Sequence, residues 1–170
     1  YHHFKSKEEI LEAVVDRITA ESNRMLAGIR DRADLSGKEK LKTIFKASIL
    51  RPVQEDIVTA APDFHNSPTL LFSLLNDTVE HAAPEYFLPI LEEGISDGSI
   101  VTDHPKELAQ LIVLVANVWL NPMIFKDSVE ETCHKIALFA QMLRGFGLDV
   151  MDDEMESRLQ ELSELYQKNR

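Results

Sequence analysis

The sequence predicts an all-α protein. Apolar residues recur at spacings of three and four, no useful stretch alternates as a β-strand does, and six glycines and seven prolines are spread thinly along the chain. The chain has 170 residues, of which 44% are apolar, enough to bury the core of one large domain or two small ones. We therefore expect a helical bundle whose helix ends are marked by caps, prolines and glycines.

The first two helices each begin with a capping box, in which a serine and a glutamate three residues later satisfy each other's backbone N–H groups. Ser6 with Glu9 starts a long helix that keeps an apolar face until the polar segment DRADLSG, and Ser36 with Glu39 starts the second. Pro52 bends or ends the second helix because proline has no N–H to donate. The apolar faces consist of Ile10, Leu11, Val14, Val15, Ile18, Met25 and Ile29 in the first helix and Leu41, Ile44, Phe45 and Ile49 in the second.

Prolines and glycines divide the rest of the chain. Residues 53–61 are compatible with a continuation of the second helix past a kink, whereas the polar run from Pro62 to Pro68 predicts a loop. Pro84 is expected to open a separate helix, because proline is favoured at the first helical position. Further helices are predicted over 68–82, from Pro84 to the region of Gly94 and Gly98, and over 105–121, 128–145 and 152–169.

The predicted helix at 105–121 is the most apolar part of the chain. Residues 108–120 read LAQLIVLVANVWL and are apolar on nearly every side, so one neighbouring helix cannot cover them. The run is shorter than the roughly 20 apolar residues that cross a bilayer. We therefore expect a helix buried from several directions and no contact with a membrane.

Charge and cysteine content limit the classes of function. Lysine and arginine number 18 against 29 acidic residues, which gives a net charge of −11, so any contact with nucleic acid needs a local basic site. The single cysteine, Cys133, excludes an internal disulfide, a four-thiolate zinc site and a CxxC redox pair. This composition predicts a protein of a reducing compartment, the cytoplasm.

No constellation for catalysis or metal binding is apparent. His2 and His3 are adjacent, so on a helix their side chains diverge by about 100° and no third ligand is spaced to converge with them. Cys133 and His134 face different directions for the same reason. We predict no catalytic residue, no metal site and no cofactor.

The opening residues carry a more specific pattern. Tyr-His-His-Phe-Lys-Ser-Lys at 1–7, followed by Glu-Glu-Ile-Leu-Glu-Ala-Val-Val, resembles the junction between the recognition helix and the first body helix of TetR/AcrR-family transcriptional regulators. The glycine-punctuated segment at 90–100, followed by Asp-His-Pro, is a weaker second similarity to that family. The resemblance implies that residues 1–5 end a helix-turn-helix DNA-binding domain and that residues 6–170 form a ligand-binding and dimerisation domain.

The resemblance also assigns roles to the opening residues. Tyr1 and His3 match family positions that touch the DNA backbone, Phe4 matches the apolar anchor of the recognition helix, and Lys7 matches a phosphate-contacting lysine. Lys5 and Lys7 lie where a helix N-terminus adds N–H donors for a phosphate. The base-reading residues would precede Tyr1, so the chain is expected to lack most of its DNA-binding head.

By the same resemblance, helices 105–121 and 128–145 pair with their copies in a homodimer, as a four-helix bundle. The function implied is that of a repressor in which a small apolar or amphipathic inducer tilts the first long helix and changes the separation of two operator-reading heads. An alternative function is a helical protein-interaction module that binds neither ligand nor DNA.

An excess of aromatic, methionine and amide residues on the middle helices suggests where an inducer would bind, since ligand cavities are mostly apolar with a few polar groups. Plain core packing explains the same residues equally well. Asn117 is expected to be a buried amide that lines the cavity or bonds across the dimer seam. The predicted ligand-binding residues are Phe72, Asn76, Phe87, Leu91, Asn117, Trp119 and Met123, with Leu75 and Phe125 beside them.

Overall fold

The computed structural model describes residues 7–52, 54–55 and 66–169, and every regular element in these ranges is helical. The all-α prediction is confirmed. In the same ranges, no helix is long and apolar enough to cross a membrane. The elements are α1 (Lys7–Arg30), α2 (Gly37–Leu50), α3 (Pro68–Asp77), a π-helical segment π1 (Thr78–Phe87), α4 (Leu88–Asp97), α5 (Pro105–Leu114), a second π-helical segment π2 (Val115–Trp119), α6 (Pro122–Phe125), α7 (Val129–Gly145) and α8 (Asp153–Asn169).

The main core joins the C-terminal end of α1 to α2, π1, α4, α5 and α7. Phe45 of α2 and Phe139 of α7 pack ring against ring, with centroids 5.9 Å apart. A smaller apolar cluster joins α3, α6 and α8. The members of this second cluster are Leu70, Met123, Leu162 and Tyr166, with Val15 of α1 packed against them.

Serine caps fix the starts of α2 and α7, and the cap of α2 is the one predicted. The hydroxyl of Ser36 accepts the N–H of Glu39, whose carboxylate accepts the N–H of Ser36 in return. Ser128 and Glu131 make the same box at the start of α7. The predicted box at Ser6 lies outside the described residues. Local sequence thus decides where these helices begin.

The prediction that Pro84 opens a new helix is wrong. α3, π1 and α4 form one continuous helical run, and Pro84 lies inside its π-helical part. In this register an N–H donates to the carbonyl five residues back, as the N–H of Leu88 does to Ala83. The wider turn accommodates a proline that a regular α-helix would exclude at that depth.

The N-terminus of α2 crosses the C-terminal end of α4 at very short range. The carboxylate of Asp97 accepts the N–H groups of Gly37 and Ser99, each at 2.8 Å. The hydroxyl of Ser99 accepts the N–H of Lys38 at 3.1 Å. Gly98 ends α4 with a left-handed φ of 80°, which favours glycine. The end of α4 thus satisfies backbone donors at the start of α2 that would otherwise lack partners.

We predict that Asp97 makes the fold sensitive to acid. Hydrogen bonds from the Ser99 hydroxyl and then from the Gly37 N–H lower the pKa of Asp97 below its usual 3.8. Because the pKa of Asp97 is lower in the folded protein than in the unfolded chain, this carboxylate stabilises the fold at a pH above about 4. The stabilisation is lost as the pH falls through the pKa of the folded state. We therefore expect the free energy of unfolding, measured with urea at pH values between 6 and about 3, to depend less steeply on pH in Asp97→Asn than in the wild type.

Asp103→Asn, which removes an exposed aspartate in the following loop, is the matched control for the loss of one negative charge. If the free energy of unfolding fell equally steeply with pH in Asp97→Asn and in the wild type, Asp97 would not be a source of the acid sensitivity.

Candidate functional site

The helices predicted to pair in a dimer carry exposed leucines. Leu111 of α5 is 38% exposed and Leu138 of α7 is 54% exposed. The expectation that the apolar helix is covered on all sides is therefore not met within a single chain. Single exposed leucines are common on protein surfaces, but these two lie on the pair of helices expected to form an interface.

A cation site joins π2, α6 and α7. The ammonium group of Lys135 lies 4.3 Å from the ring centroid of Phe125 and 5.2 Å from that of Trp119. It also donates to the Trp119 carbonyl at 3.2 Å and bonds the carboxylate of Asp127. Gln167 of α8 donates to the carbonyl of Asp127. The protein's own lysine fills this site, so its evident role is to hold these elements together.

A groove of about 280 Å³ runs between α7 and α8. Its lining is more polar than the apolar cavity that the sequence predicts, and it includes none of the residues predicted to bind a ligand. The lining residues are Cys133, Ile136, Asp153, Glu156, Ser157 and Gln160. Among the described residues, no group of three histidine, cysteine or acidic side chains is placed to hold a metal ion, in this groove or elsewhere.

The structure distributes the predicted ligand-binding residues over different environments. Phe87 and Leu91 are buried in the main core, and Met123 belongs to the second apolar cluster. Trp119 is half-buried beside Lys135. Phe72 and Asn76, both on α3, are exposed. Plain packing accounts for the buried members, and the binding role of the set stays a prediction.

Asn117 is the clearest departure from expectation. The sequence predicts a buried amide, whereas the residue is exposed in the single chain. Its backbone carbonyl accepts a hydrogen bond from the side chain of Asn121 at 3.4 Å. The expectation of burial fails because the α5 and π2 run keeps one side open to solvent. Contact with a second copy or with a ligand stays a prediction.

The predicted DNA contacts lie at the edge of the described residues. Tyr1, His3 and Lys5 lie outside them, and Lys7 begins α1 without a described side chain. Their roles stay predictions.

Sequence reasoning missed a buried lysine beside α1. Lys40 is only 2% exposed, and its ammonium group donates to the Arg30 carbonyl at 2.8 Å and pairs with the carboxylate of Glu93. Its place on the apolar face of α2, four residues before Ile44, is the signal that was available. A lysine on such a face is buried only when it is paired.

Comparison with known proteins identifies no relative: no protein-family model, no curated protein and no solved structure matches the chain.

Proposed function

We propose that this chain is the ligand-binding and dimerising body of a TetR-like DNA-binding transcriptional regulator that acts as a repressor. Three features support the proposal: the opening heptapeptide, the all-helical fold, and the exposed leucines on α5 and α7. The observation that carries it is the exposure of Leu111 and Leu138. Apolar area left in water on the two helices that the resemblance pairs in a dimer favours a partner there.

The partner proposed is a second copy of the chain. Helices 105–121 and 128–145 of each copy would form a four-helix bundle, in which the exposed leucines are covered. The small side chain of Ala137, exposed beside Leu138, allows a neighbouring helix to approach closely. Each Å² of apolar surface removed from water contributes about 25 cal/mol before the cost of association is subtracted.

The proposed regulation follows from thermodynamic coupling between inducer binding and DNA binding. A small apolar or amphipathic inducer binds the body and favours an orientation of α1 that separates the two heads, whose half-sites lie about 34–36 Å apart on DNA. Because the two binding equilibria are coupled, operator DNA weakens inducer binding by the same factor by which inducer weakens DNA binding. In this proposal operator binding requires a DNA-binding head joined to α1.

A second candidate function is a helical protein-interaction module. A different protein would then cover the same exposed leucines, and neither DNA nor inducer would be involved. The exposed amide of Asn117 fits either interface, since polar groups are common at the rim of a protein contact.

The proposal is tested on the full-length protein with Leu138→Glu and Leu111→Glu. Analytical ultracentrifugation should find a wild-type dimer and a dissociation constant raised at least about 100-fold in each variant, because a buried, unpaired carboxylate costs several kcal/mol. Selection from a library of genomic DNA fragments should recover an operator with the wild type and fail with the variants.

Val101→Glu is the matched control, because Val101 is 84% exposed and lies outside both helices. It should keep the wild-type dissociation constant. A monomeric wild type would refute the dimer, and a dimer that recovers no DNA fragment would favour the interaction module.

A further inference from the structure

The chain contains a single Asp-Gly dipeptide and no Asn-Gly, and this dipeptide, Asp97 with Gly98, lies at the end of α4. Both residues are exposed, and no described atom outside the chain neighbours lies within 4 Å of the position that a Cβ of Gly98 would take. The backbone nitrogen of a glycine can attack the side-chain carboxyl of a preceding aspartate, because no Cβ shields that nitrogen. Covalent sequence and solvent access therefore favour a reaction at this turn.

The reaction needs no reagent beyond water. The Gly98 nitrogen forms a bond to Cγ of Asp97, and the protonated carboxyl loses its hydroxyl group, which leaves as water with the proton of the Gly98 N–H. Water then opens the cyclic imide. Attack at Cγ restores aspartate, whereas attack at the main-chain carbonyl carbon of Asp97 gives isoaspartate, in which the chain continues through the former side chain. The product has the same mass as the starting chain.

The fold holds both reacting groups in other hydrogen bonds. The carboxylate of Asp97 accepts the N–H of Gly37 from α2 and the N–H of Ser99, each at 2.8 Å. Hydrogen bonds from the Ser99 hydroxyl and then from Gly37 lower the pKa of Asp97, so the carboxyl stays ionised and is a poor electrophile. The Gly98 N–H donates to the Ile95 carbonyl at 3.3 Å. The reaction is therefore slow while α2 stays on the end of α4.

Isoaspartate does not fit the same contact. Its main chain is longer by a methylene group, and its free carboxylate is attached to Cα instead of Cβ. The carboxylate thus moves away from the N–H of Gly37, and the shifted backbone also moves the Ser99 hydroxyl that accepts the N–H of Lys38 at 3.1 Å. Backbone donors at the start of α2 then lose their partners.

We propose that Asp97 and Gly98 form a site of spontaneous isoaspartate formation and that the contact with α2 sets its rate. Brief local opening of the crossing between α2 and α4 frees the reactive pair. Each conversion leaves α2 without its partners on α4, so the product accumulates as a covalent record of opening. The product presents a free isoaspartyl carboxylate, which an enzyme that methylates such groups would recognise. The site is a property of this crossing and does not depend on the regulator function proposed above.

The test follows isoaspartate in the full chain during several weeks in warm neutral buffer. Methyl transfer from labelled S-adenosylmethionine by a purified isoaspartyl methyltransferase counts the product, and peptide mapping in water labelled with heavy oxygen locates it at Asp97. Gly37→Ala, which forces α2 and α4 apart, should raise the rate at least about tenfold over the wild type. Ser99→Ala removes the hydroxyl that accepts the Lys38 N–H, should raise the rate as well, and serves if Gly37→Ala does not fold.

Leu162→Ala is the matched control, because it destabilises the second apolar cluster and leaves the crossing between α2 and α4 intact. Its rate should stay near that of the wild type. Asp97→Glu, whose longer side chain cannot close the five-membered imide, should abolish the signal. Equal acceleration in Leu162→Ala and Gly37→Ala would place the reaction in the globally unfolded chain and overturn the role of α2. A signal that persists in Asp97→Glu, or no isoaspartate in Gly37→Ala and Ser99→Ala, would overturn the site.

Discussion

Replacing Gly37 with alanine should lower the free energy of unfolding by about 3 kcal/mol, at the upper end of the usual cost of overpacking. A Cβ added at Gly37 would lie 2.4 Å from the Cα and the nitrogen of Gly94 and 2.6 Å from the carbonyl oxygen of Ile90. All three are backbone atoms, so the clash is relieved only if α2 and α4 move apart. That movement would also stretch the bond from the Gly37 N–H to Asp97.

Gly28→Ala is the matched control in the same chain. Gly28 lies in α1, is exposed, and has no atom within 4 Å of the position that a Cβ would take. Alanine there should raise stability by about 0.5–1 kcal/mol, because glycine is the poorer helix former. Urea denaturation of both variants measures the contrast. A Gly37→Ala protein as stable as the wild type would show that the two helices do not need this close approach.

The predictable part of the fold is the part fixed by neighbours in sequence. The cap at Ser36 needs only Glu39, three residues away, and the structure contains it as predicted. The position of Pro84 could not be predicted, because the most common helical position of proline is the first turn and nothing local indicates a π register. The crossing at Gly37 depends on Gly94, which is distant in sequence, so a pattern read along the chain does not reveal it.

The candidate site was harder to predict for a different reason. Apolar residues at helical spacing serve a core and a ligand cavity equally well, so Leu91 of the predicted ligand set turns out fully buried in the main core. The exposure of Asn117 depends on which side of its helix the rest of the chain leaves open. The cation site at Lys135 requires the turn at Lys126, whose φ of 55° is unusual for a residue other than glycine.

Substitutions at two neighbouring residues of α7 should distinguish an effect on the folding of one chain from an effect on dimerisation. Phe139 is 1% exposed and packs against Phe45, so Phe139→Ala should lower the free energy of unfolding by about 3–5 kcal/mol through lost burial and an unfilled cavity. Leu138 points away from this core and is 54% exposed. In the isolated protomer Leu138→Ala should change stability by no more than about 0.5 kcal/mol.

Protein concentration distinguishes the two effects. If a second copy covers Leu138, the cost of Leu138→Ala should emerge only at concentrations where the wild type is a dimer, because association stabilises the folded state by mass action. Phe139→Ala should cost the same amount at every concentration, since its cavity lies within one chain. Thermal unfolding over a range of protein concentrations measures both. A concentration-independent loss for Leu138→Ala as large as that for Phe139→Ala would place Leu138 in the protomer core and remove the proposed dimer face.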